Sequence, residues 1–254
     1  ILNIKFIIYE NNLIIGKANK YLLPFAEKIF VSYKELEGIP SKFNFKIFEI
    51  GNIIKKSIIH SAQIKEKNKI TDDNNINILI LGGSQAAKIF AEVLPEIFKN
   101  CLAEGISLKI FQHCLPQQEK KLSSFYNAAG IEFETFNFSK NLIEYFKKVD
   151  LAITRSGASM LSELTNFEIP FISTPLPSSA EKHQLKNAIY YKKKKFGFLI
   201  EEKDLKSKLF PLIKDIYFNK SLLDDIKNNQ KQYSDKNVYN NIDQTLKKII
   251  DEKN

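Results

Sequence analysis

The stretch Ile76-Asn77-Ile78-Leu79-Ile80-Leu81-Gly82-Gly83-Ser84-Gln85 decides the fold. Its first six residues read as a buried strand. Gly82 to Gln85 is a loop of small and hydroxyl residues opening a helical pattern from Ala86 to Asn100. Leu151 to Thr154 runs likewise into Arg155-Ser156-Gly157-Ala158-Ser159, and Phe171 to Thr174 into the segment Pro175 to Glu181. Alternating strands and helices imply a parallel sheet, so all three loops gather along one edge, where open α/β sheets bind their ligands.

Outward from this centre the alternation is regular, with strands near Ile76, Leu108, Ile131, Leu151, Phe171 and Gly197 and helices between them, for example Ser159 to Phe167. This is an α/β, doubly wound parallel domain. Beyond Asp204 the chain reads as helical and highly charged, and no repeat of fixed period is visible. Upstream, the apolar run Ile4 to Tyr9 ends at Glu10-Asn11-Asn12. A helix is expected over Lys17 to Glu27, and strands over Lys28 to Tyr33 and Asn44 to Ile50, broken by Gly51-Asn52. Lys55 to Asn75 is polar and lysine-rich and reads as a linker.

The chain has 254 residues, a net charge of +9 and 44% hydrophobic residues, which suits a globular protein large enough to bury a sizeable core. It contains neither an apolar run of the roughly 20 residues that span a bilayer nor a signal-peptide pattern, so a cytoplasmic protein is expected. Arg155 is the sole arginine. Base-reading proteins rely on the arginine fork, so the charge is read as a lysine bias with some attraction to anionic lipid or phosphate, not as nucleic-acid binding. Cys101 and Cys114 lack metal-ligand spacing and read as reduced core thiols, and His60, His113 and His183 are too scattered for a metal cluster. No metal or cofactor is expected.

Each loop admits two readings. Gly82 to Gln85 either cradles phosphate oxygens with backbone N–H groups at a helix start or is simply a tight turn. Glu163 either favours its helix dipole, as a cap would, or faces the crevice and accepts hydrogen bonds from a ribose diol. Gln184 either reads sugar hydroxyls with its donor and acceptor or is a solvated surface residue, with His183 and Asn187 one helical turn apart beside it.

In order and spacing, Gly82-Gly83-Ser84-Gln85, Arg155-Ser156-Gly157-Ala158 with Ser162-Glu163, and Glu181-Lys182-His183-Gln184 with Asn187-Ala188 resemble the MurG family. These are the peptidoglycan N-acetylglucosaminyltransferases that convert lipid I to lipid II. Tyr9-Glu10-Asn11-Asn12 is similar to the family's His-Glu-Gln-Asn, and Gly51-Asn52-Ile53-Ile54-Lys55 to its Gly-Asn-Pro-Val-Arg. The resemblance covers roughly residues 4 to 200.

It implies a GT-B fold with two Rossmann-like domains facing across a cleft, and inverting transfer of N-acetylglucosamine from UDP-N-acetylglucosamine to the C4 hydroxyl of the muramoyl sugar of lipid I. By position, Gly83, Ser84 and Gln85 would meet the donor diphosphate, Ser159 and Met160 a phosphate, Glu163 the ribose, and Gln184 the sugar hydroxyls. The backbone around Phe138 and Ser139 would lie near uracil, Asn12 would reach the donor from the other domain, and Lys55 would contact phosphate. The family acts at the cytoplasmic face of the bacterial inner membrane, as a peripheral protein.

The implied division is 1–56 for the end of the acceptor domain and the junction, 57–75 for a polar linker, 76–235 for the donor domain and 236–254 for a C-terminal helix. Tyr9 replaces a histidine, Ala86 a glycine, and Ile53 and Lys55 a proline and an arginine. Residue 1 is Ile, the sole methionine is Met160, and the family's amino-terminal glycine-rich loop, with its candidate general-base histidine, has no counterpart. The expectation is therefore a chain holding the donor half of the site and little transferase activity by itself, its catalytic base unassigned. The alternatives are a truncated or repurposed UDP-sugar-binding protein and a related GT-B enzyme such as an epimerase.

Overall fold

A computed structural model describes residues 5–64, 75–83, 87–137, 142–233, 235 and 237–251. The strands fall in two parallel sheets. The smaller has order β1-β2-β3, from Ile7–Glu10 (β1), Lys28–Val31 (β2) and Ile47–Glu49 (β3). The larger comprises Asn75–Leu81 (β4), Ser107–His113 (β5), Glu132–Phe136 (β6), Leu151–Thr154 (β7), Phe171–Ser173 (β8) and Phe198–Leu199 (β9). Its order, β6-β5-β4-β7-β8-β9, is the doubly wound one, which reverses direction between β4 and β7.

The strand chemistry follows from this order. Ile78, Leu79 and Ile80 of central β4 and Leu151, Ala152 and Ile153 of β7 are fully buried, as strands covered by helices on both faces must be. β6 lies at the edge and exposes Glu132 and Glu134, charges that discourage pairing with another chain. The helices Lys88–Ala103 (α3), Pro116–Ala129 (α4) and Leu205–Phe218 (α8) pack on one face, around Ile78, Ile80, Leu94, Phe98 and Ile213. Cys101 and Cys114 are free and buried, and burial pushes their thiols up to about 12 and about 11.

The opposite face joins the two sheets. Leu13, Tyr33, Ile54 and Ile58 share one apolar cluster with Leu79, Ala152, Leu161, Phe171 and Tyr191, and the Tyr33 and Tyr191 hydroxyls lie 2.9 Å apart. The helix His183–Lys193 (α7) is further strapped to the amino-terminal region by Lys186–Glu37 and by Lys194–Glu35 at 3.4 Å. The remaining helices are Lys17–Leu22 (α1), Lys56–Ile64 (α2), Ile143–Phe146 (α5), Ala158–Asn166 (α6), Ser221–Lys231 (α9) and Val238–Asp251 (α10). In α10, Ile249 packs with Phe30 and Ile50, so the chain returns at its end to the smaller sheet.

Three expectations need correction. The helix from Lys17 ends at Leu22, because Pro24 lacks the N–H that would continue the ladder. The strand expected over Asn44 to Ile50 shrinks to β3, because Ser41–Lys46 forms a 3-10 turn after Pro40, closed by Phe43 N–H donating to Pro40 O at 2.9 Å. The polar linker expected over 57–75 is instead helix α2 up to Ile64, while 65–74 lie outside the described residues. Ile58, Ile59 and Ala62 of α2, with Ile54 just before it, form a stripe that packs with Leu161 and Leu164 of α6, while Lys56, Ser57, His60 and Gln63 are exposed.

Candidate functional site

The three loops at the carboxyl ends of β4, β7 and β8 do meet. Between the first loop, the start of α3 and the other two loops lies a cleft of about 610 Å³, lined by Gly82, Gly83, Lys88, Arg155, Leu176 and Gln184, among others. Gly83 has φ +76°, and a Cβ there would touch nothing within 4 Å, so its backbone conformation, not crowding, calls for glycine. Ser84 and Gln85 lie outside the described residues, as do Phe138 and Ser139.

Arg155 is a structural cation. Its guanidinium pairs with Glu202, donates to the backbone carbonyls of Thr174 (3.3 Å) and Pro175 (3.4 Å), and stacks 5.1 Å from the Phe90 ring. It thereby binds the second loop to the third. Gln184 does the same through one atom: its Oε1 accepts the N–H groups of Ser156 (3.2 Å) and Leu176 (2.9 Å). Both partners can only donate, so the amide orientation is fixed and the acceptor is engaged. The expectation that Gln184 offers both donor and acceptor narrows to its NH₂ group.

Asn187, one turn further along α7, is fully buried. Its Oδ1 accepts Leu13 N–H at 3.2 Å, and its Nδ2 donates to Asn12 Oδ1 at 3.2 Å and to Ser156 O at 3.1 Å. Asn12 is thereby held against the second and third loops. Buried Glu10 shapes the turn that presents it: one carboxylate oxygen accepts the Asn12 N–H and Nδ2, and the other accepts Gly16 N–H and Asn19 Nδ2, all at 2.9–3.0 Å. Asn11 Nδ2 donates to Ser159 Oγ at 3.4 Å, at the start of α6. The Tyr9 hydroxyl accepts Ile53 N–H at 2.9 Å and lies 2.8 Å from Ser32 Oγ, fastening the segment that leads to Lys55.

Glu163 is the sixth residue of α6, beyond the first turn, and the N-cap is Gly157, so the capping reading does not hold. Burial raises the Glu163 carboxyl above the usual range, and the positive charge of Lys55 opposes that rise. The structure thus brings Glu163 and Lys55 near each other across the junction of the two sheets. Met160 is partly buried and packs against the apolar cluster around Leu161. The third loop is conformationally costly, since Glu181 (φ 51°) and Lys182 (φ 54°) are successive left-handed residues, and Glu181 reaches Lys17 of α1 at 3.5 Å.

Sequence reasoning missed Asp235. It is buried and gathers Asn52, Ser162 and Asn166 beneath α6, and no motif marks it. Among the described residues no group of three or more His, Cys, Asp or Glu side chains could hold a metal ion.

The family model of the glycosyltransferase family 28 C-terminal domain matches residues 77–246. The UDP-N-acetylglucosamine--N-acetylmuramyl-(pentapeptide) pyrophosphoryl-undecaprenol N-acetylglucosamine transferase of Pelagibacter ubique (strain HTCC1062) is 35% identical over 253 residues, which is 99% of this chain and 69% of that protein. The protein of the same description from Rickettsia felis is 34% identical over 90% of this chain and 65% of its own length. Among solved structures, Acinetobacter baumannii MurG superposes with a TM-score of 0.77 at 22% identity, covering 97% of this chain and 68% of that one. The UDP-GlcNAc 2-epimerase of Neisseria meningitidis bound to UDP-GlcNAc gives 0.62 at 15% identity, covering 91% and 64%. At these identities the two structures speak for the fold, which is GT-B in type. The chain spans about two thirds of the length of its relatives.

Proposed function

The chain belongs to glycosyltransferase family 28, among the MurG-type transferases, and from that premise we propose that it binds UDP-N-acetylglucosamine in the loop cleft as the donor half of a peptidoglycan glycosyltransferase. The observation that carries this reading is that Asn187 joins Asn12 to Ser156, whose N–H is in turn held by Gln184, while the charge of Lys55 acts on Glu163. Such a set offers the Gln184 amide donors for sugar hydroxyls, a carboxylate for a ribose diol and a cation for phosphate, while the amide N–H groups of Asn12 and Asn187 are engaged in holding the loops. Gly83, Ser84 and Gln85 would cradle the diphosphate, Ser159 and Met160 would lie at a phosphate, and Ser139 beside the uracil.

In the transfer, the C4 hydroxyl of the muramoyl sugar of lipid I attacks the anomeric carbon from the face opposite UDP, inverting it, and UDP leaves with the bonding electron pair. Negative charge grows on the diphosphate. The N-terminal ends of α3 and α6 and the Lys55 ammonium are the groups of this chain that would stabilise it, and they act most strongly when that charge is greatest. The proton acceptor is not assigned to a residue of this chain. Calorimetry tests the donor site: Glu163→Ala and Gln184→Ala should each weaken UDP-N-acetylglucosamine binding while the circular dichroism spectrum stays native. Unchanged affinity in both variants would remove the assignment.

Among the described residues no helix is long and apolar enough to cross a membrane. Peripheral attachment at the cytoplasmic membrane face is our reading, supported by the exposed rings of Tyr21, Phe25 and Phe45, with Lys20 next to Tyr21 and Lys46 over Phe45. Lys46 holds these segments together by donating to Pro24 O (3.3 Å) and Ala26 O (2.6 Å). Aromatic side chains flanked by lysine suit an anionic lipid surface. Phe45→Ser should reduce sedimentation with phosphatidylglycerol vesicles, and equal sedimentation of both forms would count against this surface.

A further inference from the structure

Both chain crossings between the two sheets meet at one buried carboxylate. Asp235 lies where the chain leaves α9 for α10, and Gly51-Asn52 lies where it leaves β3 for α2. Asp235 Oδ1 accepts Asn52 N–H at 2.8 Å, and Oδ2 accepts Ser162 Oγ at 2.7 Å and Asn166 Nδ2 at 2.8 Å. The Asp235 N–H donates to Asn166 Oδ1 at 3.0 Å. Gly51 has φ +91°, and a Cβ on it would sit 2.8 Å from Asp235 Oδ1, so glycine is required there twice over. The carboxylate is 4% exposed and held by hydrogen bonds that satisfy both of its oxygens.

Ser162 and Glu163 are successive residues of α6, so their side chains diverge by about 100° around the helix axis. The bond that turns Ser162 inward to Asp235 therefore sets the direction of Glu163. Through Asn52 the same carboxylate fixes the segment that ends at Lys55. We propose that Asp235 is a positioning residue: it registers α6 against the Gly51–Lys55 segment and so places the Glu163 carboxylate and the Lys55 ammonium for the nucleotide. This rests on the donor-site reading given above.

The test compares the affinities of UDP and 2′-deoxy-UDP by calorimetry in the wild type, Asp235→Asn, Ser162→Ala, Glu163→Ala and the double variant Asp235→Asn/Glu163→Ala. Asparagine keeps an oxygen for Asn52 N–H, so the fold should persist. Asp235→Asn should weaken UDP binding about tenfold, the scale of one misplaced hydrogen bond to a charged group, and cut the preference for UDP over the deoxy nucleotide toward that of Glu163→Ala. In the Glu163→Ala background it should leave the preference unchanged and add only the loss from the displaced Lys55, because Asp235 acts on the ribose through Glu163. Ser162→Ala deletes one bond of the set and should move the preference the same way by less, which keeps the test decisive if Asp235→Asn misfolds. An unchanged preference, including equal weakening of both nucleotides, would show that Asp235 does not position Glu163 and would overturn the proposal. A wild type without preference for UDP would instead bring down the ribose assignment itself, and this proposal with it.

Discussion

Replacing Asn187 should show how the two sheets are held together at the cleft. Its amide makes three hydrogen bonds in a fully buried setting, to Leu13, Asn12 and Ser156. At about 1 kcal/mol net for each, Asn187→Ala should lose about 3 kcal/mol. For a chain of this size that lowers the thermal midpoint by roughly 10 °C. Asn187→Asp changes only one atom and should be worse at pH 8. It still accepts Leu13 N–H, but it turns an oxygen toward Asn12 Oδ1 and Ser156 O and buries a charge without a partner, a defect of about 3–5 kcal/mol. Burial and the two facing acceptors raise the pKa of the introduced carboxyl above its unfolded value of about 3.9. The folded state therefore binds the proton more tightly, and the stability this brings is present at low pH and lost as pH rises through the folded pKa. Urea unfolding at pH 5 and pH 8 reads the outcome: relative to wild type, Asn187→Asp recovers on acidification and Asn187→Ala does not. An alanine variant within about 0.5 kcal/mol of wild type, the scatter of ordinary surface substitutions, would refute the reasoning, as would an aspartate variant with no pH dependence of its own.

Three further outcomes follow from the site. Burial raises the Glu163 carboxyl, so UDP affinity should begin to fall with decreasing pH above the usual glutamate range, while the fold itself gains from that protonation; Glu163→Gln should flatten the binding profile, and Lys55→Met should move its midpoint further up. Coincident profiles for wild type and Glu163→Gln would count against the carboxylate. Gly51→Ala should cost about 1–3 kcal/mol in urea unfolding, from φ +91° and the 2.8 Å approach to Asp235, and a neutral result would mean the turn relaxes freely. Arg155→Lys should cost about 2 kcal/mol because lysine cannot pair with Glu202, reach two carbonyls and stack on Phe90 at once; full stability would show that the fork contributes nothing.

The larger sheet could be read from the sequence because β4, β7 and β8 are buried on both faces and so appear as unbroken apolar runs. The loops after them followed from the same runs, and with them the gathering of Gly83, Ser156 and Gln184. What escaped was set by distant partners. Asp235 sits in a polar stretch, and the residues that give it meaning, Asn52 and Ser162, are 183 and 73 positions away. Gln184 looks like any surface glutamine until its carbonyl is seen joining two loops. Helix α2 was hidden by its polar side, since only the stripe at Ile54, Ile58 and Ile59 faces the core, and α1 was overextended because a helical pattern outlived the N–H that Pro24 lacks.

The central claim, a donor site for UDP-N-acetylglucosamine, is tested most directly by calorimetric titration of the chain with that nucleotide sugar, UDP-glucose and UDP. Saturable binding that favours the N-acetylglucosamine donor and weakens in Glu163→Ala is the predicted result; no binding of any of the three, or equal binding of both sugars that ignores Glu163, would contradict it.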